Sequence, residues 1–167
     1  HSLQADVTNE DDCQRFLDEA LSRFGRLDGL VNNAGRSAAG PIAESIDDEW
    51  RDDYELKVIA ALRLTRLALP HLEHWGGSVV NVLAIKGKAP DANSTPTAAS
   101  RAAGLALTKA LAAEVGPRGV RVNAVLIGLM ESGQWRRRSQ EMGITEAEFY
   151  DMVLRFQKVP LGRFGRA

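Results

Sequence analysis

The chain has 167 residues, enough to bury one real core, and its 44% hydrophobic and 26% charged residues are an ordinary globular composition. Lys plus Arg number 21 against 22 for Asp plus Glu, and the formal net charge of −1 excludes a global field that would draw nucleic acid or an anionic membrane. Cys13 is the only cysteine, which excludes an internal disulfide and a cysteine metal cluster and fits a reducing compartment. With no apolar run of bilayer length and no basic-then-apolar leader, a cytoplasmic setting is expected, with neither nucleic acid nor membrane as partner.

Strand-like and helical segments alternate along the chain, the pattern of a layered α/β domain. Ser2 to Val7 reads as a short strand. Thr8, with Asp11 three residues later, has the form of a capping box. Cys13, Phe16, Leu17, Ala20, Leu21 and Phe24 then recur at helical spacing up to a stop at Gly25. Leu27 to Asn32 is the next predicted strand. Ser45 and Asp48 are candidate caps for a long helix through His71, with Trp50, Tyr54, Val58, Ala61, Leu62 and Leu69 facing inward. Gly76-Gly77 turns into a strand over Ser78 to Leu83. A helix from about Pro96 to Val115 has Thr95 as its cap and Pro96 in its first position. Gly116-Pro117-Arg118-Gly119 ends that helix, and Val120 to Ile127 is a last strand closed by Gly128. Leu129 to Val159, charged and amphipathic, is expected to form one or two helices over the mouth of the sheet. No repeat or linker divides the chain, so residues 1–167 are expected to form one domain.

Three landmarks stand in a telling order: Asn32-Asn33-Ala34-Gly35 at a strand end, the apolar strand Val79-Val80-Asn81-Val82-Leu83-Ala84, and the helix start Thr97-Ala98-Ala99-Ser100-Arg101. In this order and spacing the chain resembles the short-chain dehydrogenase/reductase family. The resemblance implies a partial Rossmann-like, doubly wound parallel sheet in three α/β/α layers. It also implies that the Gly-rich turn of the family, with its first strand, would precede His1, and that a further helix and strand would follow Ala167. His1 is not an initiator residue, and a trimmed chain or a piece of something longer is expected. The apolar edge left beside Leu27–Asn32 is an association hazard, so the isolated chain is expected to aggregate or to be partly molten.

The family places Tyr-x-x-x-Lys where this chain reads Thr97-x-x-x-Arg101, a serine where Ala84 falls, and an asparagine where Lys57 falls. A phenol beside an ammonium one helical turn away delivers a proton to a carbonyl oxygen. Thr97 keeps a hydroxyl but is a far weaker acid than a phenol of pKa about 10, and it is shorter by a ring. Arg101 keeps the charge, yet a guanidinium stays protonated at any ordinary pH, which rules out proton shuttling. Ala84 offers no hydrogen bond. Tyr54, three residues before Lys57, is a candidate phenol for an ammonium, against the plainer role of packing on the sheet. Ser94, Thr95 and Ser100 are other nearby hydroxyls. His1, His71 and His74 show no metal spacing.

On the cofactor side the resemblance implies NAD or NADP. Asp6 and Val7 match a pair near the adenine, Asn33, Ala34 and Gly35 a segment lining its ribose, Arg101 a cation on ribose oxygens, and Gly128 and Ser132 a turn near the nicotinamide amide. Asn-Asn-Ala-Gly also ties strand ends together without any ligand. Trp135-Arg136-Arg137-Arg138 is the one basic cluster with an aromatic, and solvated helix surface or a substrate lid suits it better than nucleic acid. Three functions stay open: NAD(P)(H)-dependent carbonyl or alcohol chemistry on a small molecule with a rebuilt proton donor, a non-catalytic nucleotide-binding or oligomer-forming scaffold, and a cut product with no activity of its own. The family's pairing helices, here 47–71 and 96–115, imply a homo-oligomer, with Ala98, Ala99, Ala102, Ala103, Ala106 and Ala110 permitting close approach.

Overall fold

The computed structural model describes residues 1–157 and 159–166. The chain divides into two compact units, His1–Leu126 and Ile127–Ala167.

The first unit is α/β, with a parallel pair of strands and flanking helices. Residues 2–6 form no strand, and Val7 and Thr8 form a turn. Their backbone groups go to side chains of the following helix instead: Asp6 N–H donates to Asp12 Oδ2 at 2.7 Å, and Arg15 Nη2 donates to the Gln4 carbonyl at 3.1 Å. The cap of helix α1 (Glu10–Phe24) is Asn9, whose side chain accepts from Asp12 N–H at 3.0 Å. Thr8 is drawn away from that role, because its N–H and hydroxyl both donate to the Asp6 carboxylate, at 2.9 and 2.8 Å. Glu10, Asp11 and Asp12 complement the helix dipole, and Gly25, at φ 73°, ends the helix as expected.

Strand β1 is Gly29–Asn32, shorter than expected at its start, and β2 is Ser78–Ala84. They pair in parallel, Leu30 opposite Val79 and Asn32 opposite Asn81. The sheet order is β1-β2-β3, with β3 at Arg121–Ile127. Val31, on the edge strand β1, is 63% exposed.

Between β1 and β2 the chain is helical almost without a break: α2 (Asp47–Tyr54), a π turn (Glu55–Ile59) and α3 (Ala60–Trp75). Neither expected cap serves. Ser45 Oγ accepts from Trp50 Nε1 at 3.2 Å, and the backbone N–H of Ile46 donates to Glu49 at 3.4 Å. The helix also runs past His71 and through Pro70 to Trp75. Its buried face is Asp53, Lys57, Ala60, Thr65, Ala68 and Leu72, not the face marked by Trp50, Tyr54 and Val58. Side chains at adjacent positions lie about 100° apart, so the true face is turned by one residue; the π turn shifts it again.

Helix α4 is Thr97–Val115. Pro96 is its cap, without a side-chain bond, because Thr95 is committed elsewhere: its carbonyl accepts from Gly40 N–H at 2.9 Å and its hydroxyl donates to the Gly40 carbonyl at 3.4 Å. Leu17, Leu30, Ala68, Leu72, Val79, Val115, Val120 and Val122 form the core. Gly77 sits where a Cβ would lie 2.8 Å from the Asp28 carbonyl oxygen, so the turn into β2 admits no side chain.

The second unit carries α5 (Gly133–Glu141) and α6 (Glu146–Gln157). Trp135, Phe149, Tyr150 and Phe164 form its aromatic centre, with ring centroids 4.5 to 6.4 Å apart. Arg136 pairs with Glu146 at 3.0 Å and Arg138 lies over the Trp135 ring, so two of the three arginines of this cluster are engaged within their own unit. Among the described residues no helix is long and apolar enough to cross a membrane.

Candidate active site

Four buried polar side chains meet where α2 and its π turn pass the start of α4. Asp53 is 2% exposed, Lys57 4%, Thr97 8%, and Ser100 is fully buried. Asp53 and Lys57 are four residues apart on the helical run, which puts them on one face, and the Lys57 ammonium donates to Asp53 Oδ1. The same ammonium donates to Thr97 Oγ1 at 3.2 Å. Ser100 Oγ donates to Asp53 Oδ2 at 2.6 Å, and Thr97 Oγ1 also accepts from the Ala38 backbone N–H at 2.9 Å. Tyr54 has no part in this cluster; the ammonium's partners are a carboxylate and an aliphatic hydroxyl.

Arg101 lies one helical turn beyond Thr97. Its Nη1 donates to the Val82 carbonyl at 2.8 Å, whereas its Nε is buried with no partner among the described residues. A Cβ on Gly35 would lie 2.7 Å from Arg101 Nη2, so a side chain there would press on the guanidinium in its present place. Burial lowers the pKa of Lys57; the Asp53 bond and charge oppose that, and the Arg101 and Arg36 charges add to it. Burial likewise lowers Arg101, again opposed by Asp53. The cluster therefore holds two cations against one carboxylate.

A cavity of about 190 Å³ opens beside these groups, lined by Val7, Asn32, Asn33, Ala34, Lys57 and Arg101 together with apolar side chains from α1, α3, β2 and α4. The Asn32 amide nitrogen donates to Asn81 Oδ1 at 2.8 Å, and Asn81 donates on to Thr108 Oγ1 at 2.9 Å, which anchors the end of β1 to α4. Asn32 Oδ1 is buried without a partner.

Of the residues singled out from sequence, Val7, Asn33, Ala34 and Arg101 come together at this cavity, and Gly35 adjoins Arg101. Asp6 does not line it; its carboxylate closes the Thr8 turn, and those bonds hold its pKa below the ordinary value. Thr97 sits behind the cavity wall, in contact with Lys57. Gly128 and Ser132 belong to the second unit, where both are exposed and Ser132 precedes α5 without a side-chain cap bond. Asp53 was missed from sequence, although an Asp/Lys pair at spacing four on a helix was the available signal. Among the described residues no group of three or more His, Cys, Asp or Glu is placed to hold a metal.

Comparison with known proteins agrees with this architecture. The sequence profile of the short chain dehydrogenase family matches residues 1–143. A protein assigned as ketoacyl reductase 2 of the granaticin polyketide synthase in Streptomyces violaceoruber is 42% identical over 170 residues, covering 98% of this chain and 64% of that protein. An NADPH-bound short chain oxidoreductase from Pseudomonas aeruginosa PAO1, described as containing an atypical catalytic center, is 34% identical with a TM-score of 0.89, covering 97% of this chain and 62% of that one. The L-sorbose reductase of Gluconobacter frateurii, solved with NADPH and L-sorbose, is 29% identical with a TM-score of 0.90, over 97% of this chain and 63% of that one. The chain thus spans somewhat under two thirds of the length of these relatives. By profile, sequence and fold, the chain belongs to the short-chain dehydrogenase family of oxidoreductases.

Proposed function

We propose that the protein carrying this chain is an NAD(P)(H)-dependent oxidoreductase that interconverts a carbonyl and an alcohol on a small molecule. The observation that carries this is the pairing of two unsatisfied buried polar atoms, Arg101 Nε and Asn32 Oδ1, in residues that line one cavity. Buried polar groups without partners are rare, and a ribose supplies the hydroxyls such groups need. Gly35 and Ala34 keep that wall thin. These residues fit the nicotinamide-ribose half of the dinucleotide: Arg101 and Asn32 would bind its hydroxyls, and Asn33 and Ala34 would border it. Bound there, the nicotinamide supplies or takes the hydride. The apolar lining excludes water, and Lys57 holds a proton beside Thr97. The likeness to the NADPH-bound Pseudomonas oxidoreductase, described as containing an atypical catalytic center, supports this reading.

A non-catalytic, nucleotide-binding scaffold is the second reading. It is favoured by Thr97, whose hydroxyl already accepts two hydrogen bonds and is no phenol. The exposed Ala102 and Ala106 of α4 suit close pairing with a second copy in that role, which sedimentation would detect as a dimer. The triple variant Thr97→Tyr, Arg101→Lys, Ala84→Ser separates the two readings. A rise in NADPH-dependent ketone reduction is expected if the cavity still receives a carbonyl, and no activity in parent or variant would favour the scaffold.

A further inference from the structure

Residues 33–41, which follow β1, carry no helix and only the isolated bridge between Gly40 and Thr95. This loop is held by α4 and the residues just before it, in opposite chain order. Gly35 lies against Arg101 Nη2, Ala38 N–H donates to Thr97 Oγ1 at 2.9 Å, and Gly40 N–H donates to the Thr95 carbonyl at 2.9 Å. The Ala38 bond is also braced from behind. Thr97 Oγ1 accepts the Lys57 ammonium as well, which fills both lone pairs of the hydroxyl. Lys57 is held in turn by Asp53, and Asp53 by Ser100. The chain of bonds thus starts at Ser100 on α4, crosses to Asp53 and Lys57, and returns to α4 at Thr97, where it ends on the loop. Its side chains belong to residues at most 8% exposed, so an unmade bond would strand a buried polar group. Thr97 does not line the cavity, whereas Asn33 and Ala34, a few residues before Ala38, do.

Resting on the oxidoreductase reading above, we propose that Thr97 is a latch and not a reacting group: it fixes the Asn33–Gly35 wall on which the nucleotide lies, and Asp53 and Lys57 are positioning residues that act through it. A loop already ordered in its binding conformation need not be ordered by the ligand, so the latch contributes to nucleotide affinity by preorganisation. Thr97 serves here as an acceptor. A serine hydroxyl at this position can therefore do the same work, and an apolar side chain of the same shape cannot. Asp53 aims the ammonium at Thr97, and without that carboxylate Lys57 loses the partner that holds it in place.

The test uses the whole protein, with amide hydrogen exchange at Ala38 read by NMR, fluorescence titration of NADPH and NADH, and circular dichroism to show that each variant is folded. Parent and Thr97→Ser should protect the Ala38 amide alike and bind nucleotide alike. Thr97→Val should exchange Ala38 at least about tenfold faster, with the amides of β2 unchanged, and should bind nucleotide at least about tenfold more weakly. Asp53→Asn should speed exchange at Ala38 too, although its own bonds go to Lys57 and Ser100. Parent-like protection of Ala38 in Thr97→Val, an equal rise in exchange at Ala38 and in β2, or parent-like affinity in that variant would overturn the latch while leaving the oxidoreductase reading intact. A parent that binds neither nucleotide would overturn that reading and the latch's part in binding with it.

Discussion

Replacing Lys57 with methionine removes the charge while nearly keeping the volume, so the effect falls on Asp53. The Lys57 side chain has no exposed surface and that of Asp53 has 1%, so the variant leaves a carboxylate sealed from water. Its remaining partner is Ser100 Oγ at 2.6 Å. Breaking a buried pair by deleting one member costs about 3–5 kcal/mol, whereas an exposed pair costs about 0–1 kcal/mol. Urea denaturation at pH 7 should therefore place Lys57→Met at the upper range. The double variant Asp53→Leu, Lys57→Met should recover most of that loss. Replacing both ions with apolar groups is often neutral, and Ser100 Oγ retains the Thr97 carbonyl, 3.1 Å away, as an acceptor. A single variant that loses under about 1 kcal/mol, or a double variant no better than the single, would refute the account of a sealed pair.

Two further outcomes follow from the same geometry. Burial sets the folded pKa of Lys57 below its ordinary value of about 10.4, so between the two values the unfolded chain holds more protons and stability rises with pH. Stability measured against pH should climb across that alkaline window in the parent and stay flatter in Lys57→Met; parallel curves would contradict the shift. Gly87→Ala would place a Cβ 2.8 Å from the Arg101 carbonyl carbon, a backbone atom unable to yield. That substitution should cost about 1–3 kcal/mol in thermal or urea unfolding, and a neutral effect would show that the turn after β2 does not press on α4.

Much of the frame was legible because it rests on local chemistry. Gly25 and Gly119 stop their elements where the sequence marks them, and the Asn32-to-Gly35 run falls at a strand end. Arg101 was found at the cavity through its spacing from Thr97. The strand over Ser2 to Val7 did not form, since strand structure depends on a neighbour's backbone, which local patterning does not report. Apolar residues mark a different face of the long helix from the one that the structure buries. Here the helix buries Asp53 and Lys57, which compensate each other, and a π turn of the following segment moves the register. Asp6 and Thr97 were placed correctly in the chain, but their side chains are engaged by Thr8 and by Lys57, contacts set by tertiary packing.

The proposed function puts the nicotinamide-ribose half of NAD(P)(H) in this cavity, against Arg101. Fluorescence titration of NADH and NADPH into the whole protein and its Arg101→Met variant tests it most directly, with circular dichroism showing that both are folded. Saturable binding of at least one nucleotide by the parent, weakened at least about tenfold in the variant by loss of a charge-assisted contact, is the predicted result. Equal affinity in both proteins, or no binding by a folded parent, would contradict it.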